Sequence, residues 1–253
     1  SLIYADIIPP ENWRMFDETA KKISLKKPLR ILWLGDSLTD FDQGHNHVDK
    51  TAFWLEKYNP GKTSFRNAAV RGDFITRVEG RLKGMNGGKG EFQQSRYKDL
   101  FKQEYDLIFL FLGHNDTVAS TKDNYGSPKI PPDIQKKSYA DVLSMIRQNS
   151  KAKIVLVTPI CNDPETTRKT AENYRKWTGT GYLFGKPEFA EAFVRTLKEI
   201  ADTEKTGYLD LYTPTKNLSP KKPYFKEDGV HLTELGNGKV AELVLAWLAE
   251  NWK

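Results

Sequence analysis

One histidine of this sequence lies three residues after an aspartate, in the segment Asp228-Gly229-Val230-His231. An imidazole that acts as a base needs one ring nitrogen directed at its nucleophile and its other N–H held by a carboxylate. An aspartate three residues upstream can hold that N–H within one turn of backbone. The spacing therefore predicts an oriented histidine base. A carboxylate that caps the following helix, beside an incidental histidine, explains the same four residues equally well.

A serine that could act as the nucleophile lies in Gly35-Asp36-Ser37-Leu38, directly after an apolar segment. A serine just past a buried parallel strand is exposed at the carboxyl edge of the sheet, where open α/β proteins bind their ligands. The same residues also form ordinary turns, and Ser37 could simply cap the next helix. The motif alone leaves both interpretations open.

Groups that could stabilise an oxyanion follow two further apolar segments. Gly72 offers a backbone N–H without steric obstruction, and Asn115, in Gly113-His114-Asn115-Asp116, offers a side-chain amide. Taken singly, such glycines are more often turn formers. Together with the serine and the Asp-x-x-His segment, they supply the nucleophile, base, orienting carboxylate and oxyanion donors that acyl transfer needs.

Two other histidines, His45 and His47, lie in the polar segment that runs from Asp42 to Asp49. Two histidines and two aspartates this close together raise the alternative of a metal site. We expect a flexible loop here, without fixed ligand geometry or a second cluster, and therefore no metal. The single cysteine, Cys161, excludes an intramolecular disulfide and a cysteine-based zinc cluster, and the apolar run before it predicts a buried thiol.

The elements that must position these residues are five apolar, often β-branched segments, which we predict to be buried parallel strands. Stretches with helical spacing separate them, and Thr233 is a suitable N-cap for the last helix. Strands that alternate with helices imply right-handed crossovers and a three-layer α/β/α sandwich around a five-stranded parallel sheet. The predicted strands are residues 29–34, 64–69, 107–112, 153–158 and 207–211.

Two connections, residues 117–132 and 161–187, are longer than ordinary loops, and such loops in a compact domain are usually functional or mobile. The second carries aromatic residues, among them Tyr174 and Trp177, beside several lysines and arginines. Aromatic faces and cationic donors suit a sugar, including an anionic one. The alternative is that these aromatics pack the loops themselves.

Composition indicates a globular chain, because 38% of its 253 residues are hydrophobic and 28% are charged. We predict one domain, residues 29–253, with residues 1–28 as an N-terminal extension packed on it. The longest apolar run, residues 107–112, is far shorter than the roughly 20 residues that span a bilayer, so we expect no membrane span.

The net charge of +6 is spread over scattered lysine pairs. Without a basic block, this pattern favours a solvated surface over a nucleic-acid partner. The chain begins at Ser1 rather than Met, so an export signal could have been removed, and a secreted or periplasmic location is favoured in that case.

The four motifs resemble those of the SGNH, or GDSL-type, hydrolases. The blocks of that family match residues 35–38, Gly72, residues 113–116 and residues 228–231, in the family's order and at predicted strand ends. The resemblance implies a flavodoxin-like sheet and a serine esterase that needs no metal or other cofactor.

The resemblance also implies a role for each residue of the site. Ser37 would be the nucleophile, His231 its base and Asp228 the residue that orients the base. The oxyanion hole would comprise the backbone N–H groups of Ser37 and Gly72 and the side chain of Asn115.

Family and fold do not select the substrate, because the family includes lipases, thioesterases, acyltransferases and carbohydrate deacetylases. The aromatic and cationic loop residues lead us to expect removal of O-acetyl groups from a polysaccharide or its oligosaccharides, with Asp36, His114, Tyr174 and Trp177 as substrate contacts. A short-chain lipase, a thioesterase, an acyltransferase and a non-catalytic glycan-binding module are the alternatives. The oligomeric state stays open.

Overall fold

A five-stranded parallel sheet forms the centre of the protein in the computed structural model, which describes residues 10–85 and 92–252. Its strands are β1 Leu29–Gly35, β2 Thr63–Asn67, β3 Leu107–Phe111, β5 Lys153–Val157 and β7 Gly207–Leu209. Their order, β2-β1-β3-β5-β7, is that of flavodoxin-like folds. Two short segments, β4 Ala119–Ser120 and β6 Tyr182–Leu183, form a separate antiparallel ribbon. The predicted sheet is confirmed, with strand ends within two residues of those expected.

Helices cover both faces of the sheet and complete the three-layer α/β/α sandwich that the sequence predicts. In chain order they are α1 Pro10–Ala20, α2 Ser37–Asp40, α3 His47–Tyr58, α4 Ile75–Gly84, α5 Pro132–Asn149, α6 Pro164–Thr178, α7 Pro187–Glu204, α8 Tyr212–Lys216 and α9 Glu234–Asn251.

The core divides into two hydrophobic layers because successive side chains of a strand point to opposite faces. Trp33 and Phe109 lie in the layer beneath α1, α3 and α9, with their rings stacked 4.3 Å apart between centroids. Leu34 and Leu110 lie in the layer beneath α4, α5 and α7. Every residue of β3 is buried, which explains its unbroken apolar sequence.

The prediction of a long open loop at residues 161–187 was wrong, because α6 occupies most of it. Asp163 caps the helix by accepting a hydrogen bond from the Thr166 N–H, and Gly179 ends it in the left-handed conformation, with φ of 82°. The helix buries only Thr167 and Ala171, so it lacks the apolar stripe by which a helix is recognised in sequence. In residues 117–132, β4 and a 3₁₀ turn replace part of the expected loop.

The flexible loop expected at residues 42–49 is also only partly present. Asn46 and Asp49 form a capping box that starts α3 at His47, and the His47 side chain is fully buried. Burial of the ring lowers its pKa to about 3, so His47 is a neutral core residue. Cys161, predicted to be buried, is partly exposed.

The first described helix, α1, packs on the domain through the ring of Phe16, which is 2% exposed and stacks on Trp54 of α3 at 5.7 Å between centroids. Asp17 accepts hydrogen bonds from Lys57 and Tyr58 at the end of α3. Residues 1–9 of the predicted N-terminal extension lie outside the described residues. No helix in the two described ranges is both long and apolar enough to cross a membrane.

Replacing Phe16 with Ala should destabilise the whole domain, since it removes a large ring from the core beneath the sheet. We expect a loss of about 3–5 kcal/mol in the free energy of unfolding. Urea titration followed by fluorescence and by circular dichroism measures it. The neighbouring Met15→Ala, at a partly exposed side chain, should cost less than about 1 kcal/mol. Equal effects of the two variants would contradict the packing role of α1.

Candidate active site

The hydroxyl of Ser37 is placed at the carboxyl edge of the sheet by a sharp turn at the end of β1. Asp36 caps α2, because its Oδ1 accepts a hydrogen bond from the Leu38 N–H at 2.9 Å. Gly35 allows the end of β1 to lie close to β3, since a Cβ at that position would lie 2.9 Å from the Phe111 carbonyl oxygen. The serine therefore follows the strand directly, as the sequence predicts.

The segment before α9 brings a histidine and an aspartate to the same edge. His231 Nε2 lies 2.9 Å from Ser37 Oγ, and His231 Nδ1 lies 2.5 Å from Asp228 Oδ2. Asp228 Oδ1 accepts hydrogen bonds from the backbone N–H groups of Val230 and His231, which fixes the loop around its own carboxylate. Thr233 caps α9 by accepting a hydrogen bond from the Gly236 N–H, as predicted.

The hydrogen bonds around Asp228 determine whether its carboxyl group is ionised. Burial raises the pKa of Asp228, but the hydrogen bonds from His231 and from the Val230 and His231 backbone outweigh it and lower the pKa to about 2. The carboxylate is therefore ionised near neutral pH and accepts the Nδ1–H of the ring. The Nε2 lone pair is then directed at the Ser37 hydroxyl, which is the arrangement of a base facing its nucleophile.

Gly72 and Asn115 lie in the loops that follow β2 and β3, the two strands that flank β1. Gly72 has a φ of 80°, a left-handed conformation that favours glycine. Asn115 Nδ2 donates one hydrogen bond to the Asp73 carbonyl oxygen at 3.0 Å. An asparagine amide has two hydrogens, so a second remains for a substrate oxygen.

Two further residues, which the sequence analysis did not single out, contact the turn that holds Gly72 and the ring of His231. Asp40, in the same short helix as Ser37, accepts a hydrogen bond from the Arg71 N–H at 2.9 Å and so fixes the turn that holds Gly72. The ring of Phe41 lies 4.9 Å from the His231 ring and forms an apolar wall beside it. Neither residue carries a sequence signal, because their importance depends on contacts across the fold.

A sequence model of the GDSL-like lipase/acylhydrolase family matches residues 31–244. The chain belongs to this family. It is therefore an ester hydrolase by class. No curated protein matches the chain in sequence at a significant level.

Solved structures support the same fold. A lipase/acylhydrolase from Enterococcus faecalis superposes with a TM-score of 0.61 and 18% identity over 89% of this chain and 97% of that one. An acetyl xylan esterase superposes with a TM-score of 0.61 and 19% identity over 85% of this chain and 98% of that one. A catalytic mutant of an acetylxylan esterase from Geobacillus stearothermophilus superposes with a TM-score of 0.61 and 15% identity over 90% of this chain and 97% of that one.

Two predicted substrate contacts of this ester hydrolase are instead buried beneath the site. Asp36 is 0% exposed and His114 is 2% exposed. His114 Nδ1 lies 2.8 Å from Asp36 Oδ2, and His114 Nε2 accepts a hydrogen bond from the Ile160 N–H. Because both polar ends of the imidazole are engaged inside the protein, the pair joins the ends of β1, β3 and β5 and does not reach a substrate.

The other two predicted contacts, Tyr174 and Trp177, are exposed on α6, by 45% and 83% respectively. The first turn of that helix touches the site, since a Cβ on Gly229 would lie 2.9 Å from Thr166 Cβ. Trp177 follows Thr166 by 11 residues, or about 16 Å at 1.5 Å per residue. The aromatics therefore lie along the helix at this distance from its contact with the site, where only an extended substrate would reach them.

Within residues 10–85 and 92–252, no group of three or more histidine, cysteine, aspartate or glutamate side chains is arranged to hold a metal ion.

A buried carboxylate next to Asn115 holds the loop after β3. Asp116 accepts hydrogen bonds from the Ile75 N–H at 2.9 Å and the Gly113 N–H at 3.0 Å. Burial, with the Asp36 carboxylate nearby, raises its pKa to about 7 even though these N–H groups oppose the shift. The ordinary pKa of an aspartate is about 3.9, so the folded protein keeps a proton here that the unfolded chain has released.

This raised pKa predicts that Asp116 contributes less to stability as the pH rises from 5 to 7. In that window its carboxyl group binds more protons in the native state than in the unfolded state, so its contribution to the free energy of unfolding falls with pH, by up to about 1.4 kcal/mol per pH unit. The buried neutral His47 acts in the opposite direction, so the effect of Asp116 is measured as a difference between wild type and a variant. Asp116→Asn removes this titration and should be less stable than wild type at pH 5, because it loses one acceptor for a backbone N–H, and the difference from wild type should shrink as the pH rises. Urea titrations at several pH values measure both effects.

Asp141→Asn is the matched control. Asp141 is exposed on α5, and its hydrogen bond with Lys137 lowers its pKa, so it titrates below this window. Its variant should keep the wild-type pH dependence. Parallel curves for wild type and Asp116→Asn would contradict the assignment.

Proposed function

We propose that this ester hydrolase is a serine esterase that removes O-acetyl groups from a polysaccharide or its oligosaccharides. The main support for catalysis by a serine is the continuous hydrogen-bonded chain from Asp228 through His231 to Ser37. Asp228 Oδ2 lies 2.5 Å from His231 Nδ1, and His231 Nε2 lies 2.9 Å from Ser37 Oγ. These three residues have the mutual geometry of an acyl-transfer triad.

In the first half of the reaction, Ser37 Oγ attacks the acetyl carbonyl carbon while His231 Nε2 takes the hydroxyl proton. Asp228 stabilises the imidazolium that forms. The carbonyl oxygen becomes an oxyanion, which accepts hydrogen bonds from the Ser37 and Gly72 N–H groups and the second amide hydrogen of Asn115. Collapse of this intermediate breaks the ester C–O bond, and His231 gives its proton to the departing sugar oxygen.

In the second half, water replaces the sugar. His231 takes a proton from the water as its oxygen attacks the acetyl-serine carbonyl carbon, and the same donors stabilise the second oxyanion. When this intermediate collapses, the proton on His231 returns to Ser37 Oγ, and acetic acid leaves and releases its proton to solvent. The enzyme ends in its starting protonation state, with one water consumed.

Two observations support a sugar ester as the substrate. Tyr174 and Trp177 present aromatic faces to solvent on a helix whose first turn touches the site, which suits a chain-like sugar. Two of the solved structures with this fold are acetylxylan esterases, and in one of them the catalytic mutation replaces a serine with alanine. The match to that serine enzyme is consistent with the role proposed for Ser37.

The experiment that tests the function measures acetate released from acetylated xylan and from acetylated pectin oligosaccharides, alongside hydrolysis of p-nitrophenyl esters of two to twelve carbons. We expect acetate from at least one sugar, the highest kcat/KM at two carbons, and loss of nearly all activity in Ser37→Ala. A preference for acyl chains of eight or more carbons would argue for a lipase or a long-chain thioesterase instead.

A second prediction isolates the oxyanion donor. Asn115→Ala should lower kcat by roughly 10²–10³ with little change in KM, because the lost hydrogen bond forms mainly in the transition state. Thermal melting shows whether the loop survives the loss of the bond to Asp73. Asn149→Ala, at the end of α5 and at the opposite edge of the sheet, is the matched control and should stay within about twofold of wild type. A near-normal kcat for Asn115→Ala would remove it from the oxyanion hole.

A further inference from the structure

Residues 163–185 form an excursion of the chain at the carboxyl edge of the sheet. The chain leaves that edge after β5, forms α6 and β6, and only then enters α7. Asn162 holds both ends of the excursion, because its Nδ2 donates a hydrogen bond to the Gly229 carbonyl oxygen at 3.1 Å and a Cβ on Gly185 would lie 2.6 Å from its Oδ1. The excursion therefore begins and ends beside the loop that carries the proposed base.

A second connection ties the excursion to the loop of the proposed oxyanion donor. The loop after β3, which carries Asn115, leads into β4, and β4 pairs antiparallel with β6. Gly181 allows β6 to lie close to α6, since a Cβ at that position would lie 2.9 Å from the Ala171 carbonyl oxygen. The excursion is thus fixed at two places to the edge of the sheet that carries the proposed nucleophile.

Three aromatic side chains of the excursion are exposed to solvent. Trp177 is exposed by 83%, Tyr174 by 45% and Tyr182 by 38%. The rings of Tyr174 and Tyr182 lie 5.7 Å apart between centroids, so α6 and β6 contribute to one surface. Trp177 follows Tyr174 by three residues and lies on the same face of the helix. We call these three residues the aromatic platform, and exposed apolar groups clustered in this way mark a binding surface.

Ionised side chains of α6 lie between these rings and restrict what can bind there. Glu172 Oε1 lies 2.7 Å from Arg175 Nη2 and 4.0 Å from Lys176 Nζ. A dry protein interface or a lipid surface would remove these charges from water, at a cost. A sugar ring has apolar C–H faces and a rim of hydroxyl groups. Aromatic rings can contact its faces while the charged groups bond its hydroxyls.

We propose that the aromatic platform holds a polysaccharide chain at a distance from the ester that is cleaved. At 1.5 Å per residue, Trp177 lies about 16 Å along α6 from Thr166, so a single sugar unit cannot fill both the platform and the active site. The proposal rests on the proposed function, since the chain on the platform is the one that carries the acetyl ester. It names a long chain, rather than a short fragment, as the substrate.

The kinetic test compares a polymer with its own short fragment, for whichever of acetylated xylan and acetylated pectin the wild type deacetylates faster. The readout is the ratio of kcat/KM per acetyl group for the polymer to that for the acetylated disaccharide. Wild type should give a ratio well above one. Trp177→Ala and Tyr174→Ala should each lower the ratio by about fivefold, as expected for loss of one aromatic contact. The loss should appear in KM for the polymer, because the platform does not touch the reacting atoms.

Two further variants make the test specific to this surface. Trp177→Phe keeps an aromatic face and should keep most of the preference for the polymer. Phe65→Ala removes a ring that is exposed by 43% on the edge strand β2, away from β5, and should leave the ratio unchanged. Thermal melting should show every variant folded, since exposed rings contribute little to the core. An equal fall of the ratio in Phe65→Ala and Trp177→Ala would contradict the platform.

Binding without turnover gives an independent readout. In native gels that contain the deacetylated polymer, Ser37→Ala should be retarded, and the double variant Ser37→Ala/Trp177→Ala should be retarded less. A wild-type ratio near one, or equal retardation of the two proteins, would overturn the platform. Acetate release from both polymer and fragment would still leave the proposed function in place. If no sugar yields acetate, the proposed function fails, and the retardation in the gel alone decides whether the platform binds the polymer.

Two other occupants of the surface are tested with the same variant. Sedimentation velocity measures self-association, and flotation with phosphatidylglycerol vesicles measures binding to a lipid surface. Wild type should show neither property in a form that depends on Trp177. Self-association or vesicle binding that is lost in Trp177→Ala, with an unchanged ratio of polymer to fragment, would assign the surface to a second copy or to lipid and would contradict the proposal.

Discussion

The arrangement of the whole site depends on one buried imidazole. His114 donates from Nδ1 to Asp36 and accepts at Nε2 from the Ile160 N–H, so it joins the ends of three neighbouring strands in the interior. Asp36 precedes the serine, and Asn115 follows the histidine. Hydrogen bonds between fully buried groups are strong and leave few alternative geometries. The distance between the nucleophile and the proposed oxyanion donor is therefore set below the surface, by residues that never meet the substrate.

This arrangement has an energetic cost, which is visible in the raised pKa values of two buried carboxyl groups. Asp36, Asp73 and Asp116 are all fully buried, and burial raises the pKa of Asp73 to about 6 and that of Asp116 to about 7. Asp73 is compensated by a buried ion pair with Arg81, at 2.6 Å. A pair of this kind contributes little net stability, but removing one partner leaves an unpaired buried charge. The protein thus gives up stability near neutral pH to hold backbone N–H groups and a side-chain amide in fixed positions.

The sequence predicted most of the framework because its signals are local. Continuous apolar runs such as that of β3 identify buried parallel strands, and the alternation with helices then implies the sheet. Helix α6 escaped prediction because its buried side chains are few and small. The motif around Ser37 is local as well, but its meeting with His231, 194 residues away, was predicted from the complete set of acyl-transfer groups taken together and from the family resemblance. Burial of Asp36 and His114 could not be read from the sequence, because a polar residue after a strand has the same appearance whether it faces solvent or the interior.

The two aspartate–histidine pairs show why environment, rather than residue type, decides function. In each pair Nδ1 faces a carboxylate, so the tautomer is the same, and Nε2 is left as an acceptor. For His114 that acceptor meets the Ile160 backbone N–H, which is too weak an acid to transfer its proton, and the ring is closed off from solvent. For His231 it meets a serine hydroxyl, and the ring is partly exposed. A hydroxyl proton can move to the imidazole when the oxygen gains a bond to carbon, whereas the amide nitrogen gains no such bond and therefore keeps its proton. The same chemical pair is therefore a structural link in one place and is suited to proton transfer in the other.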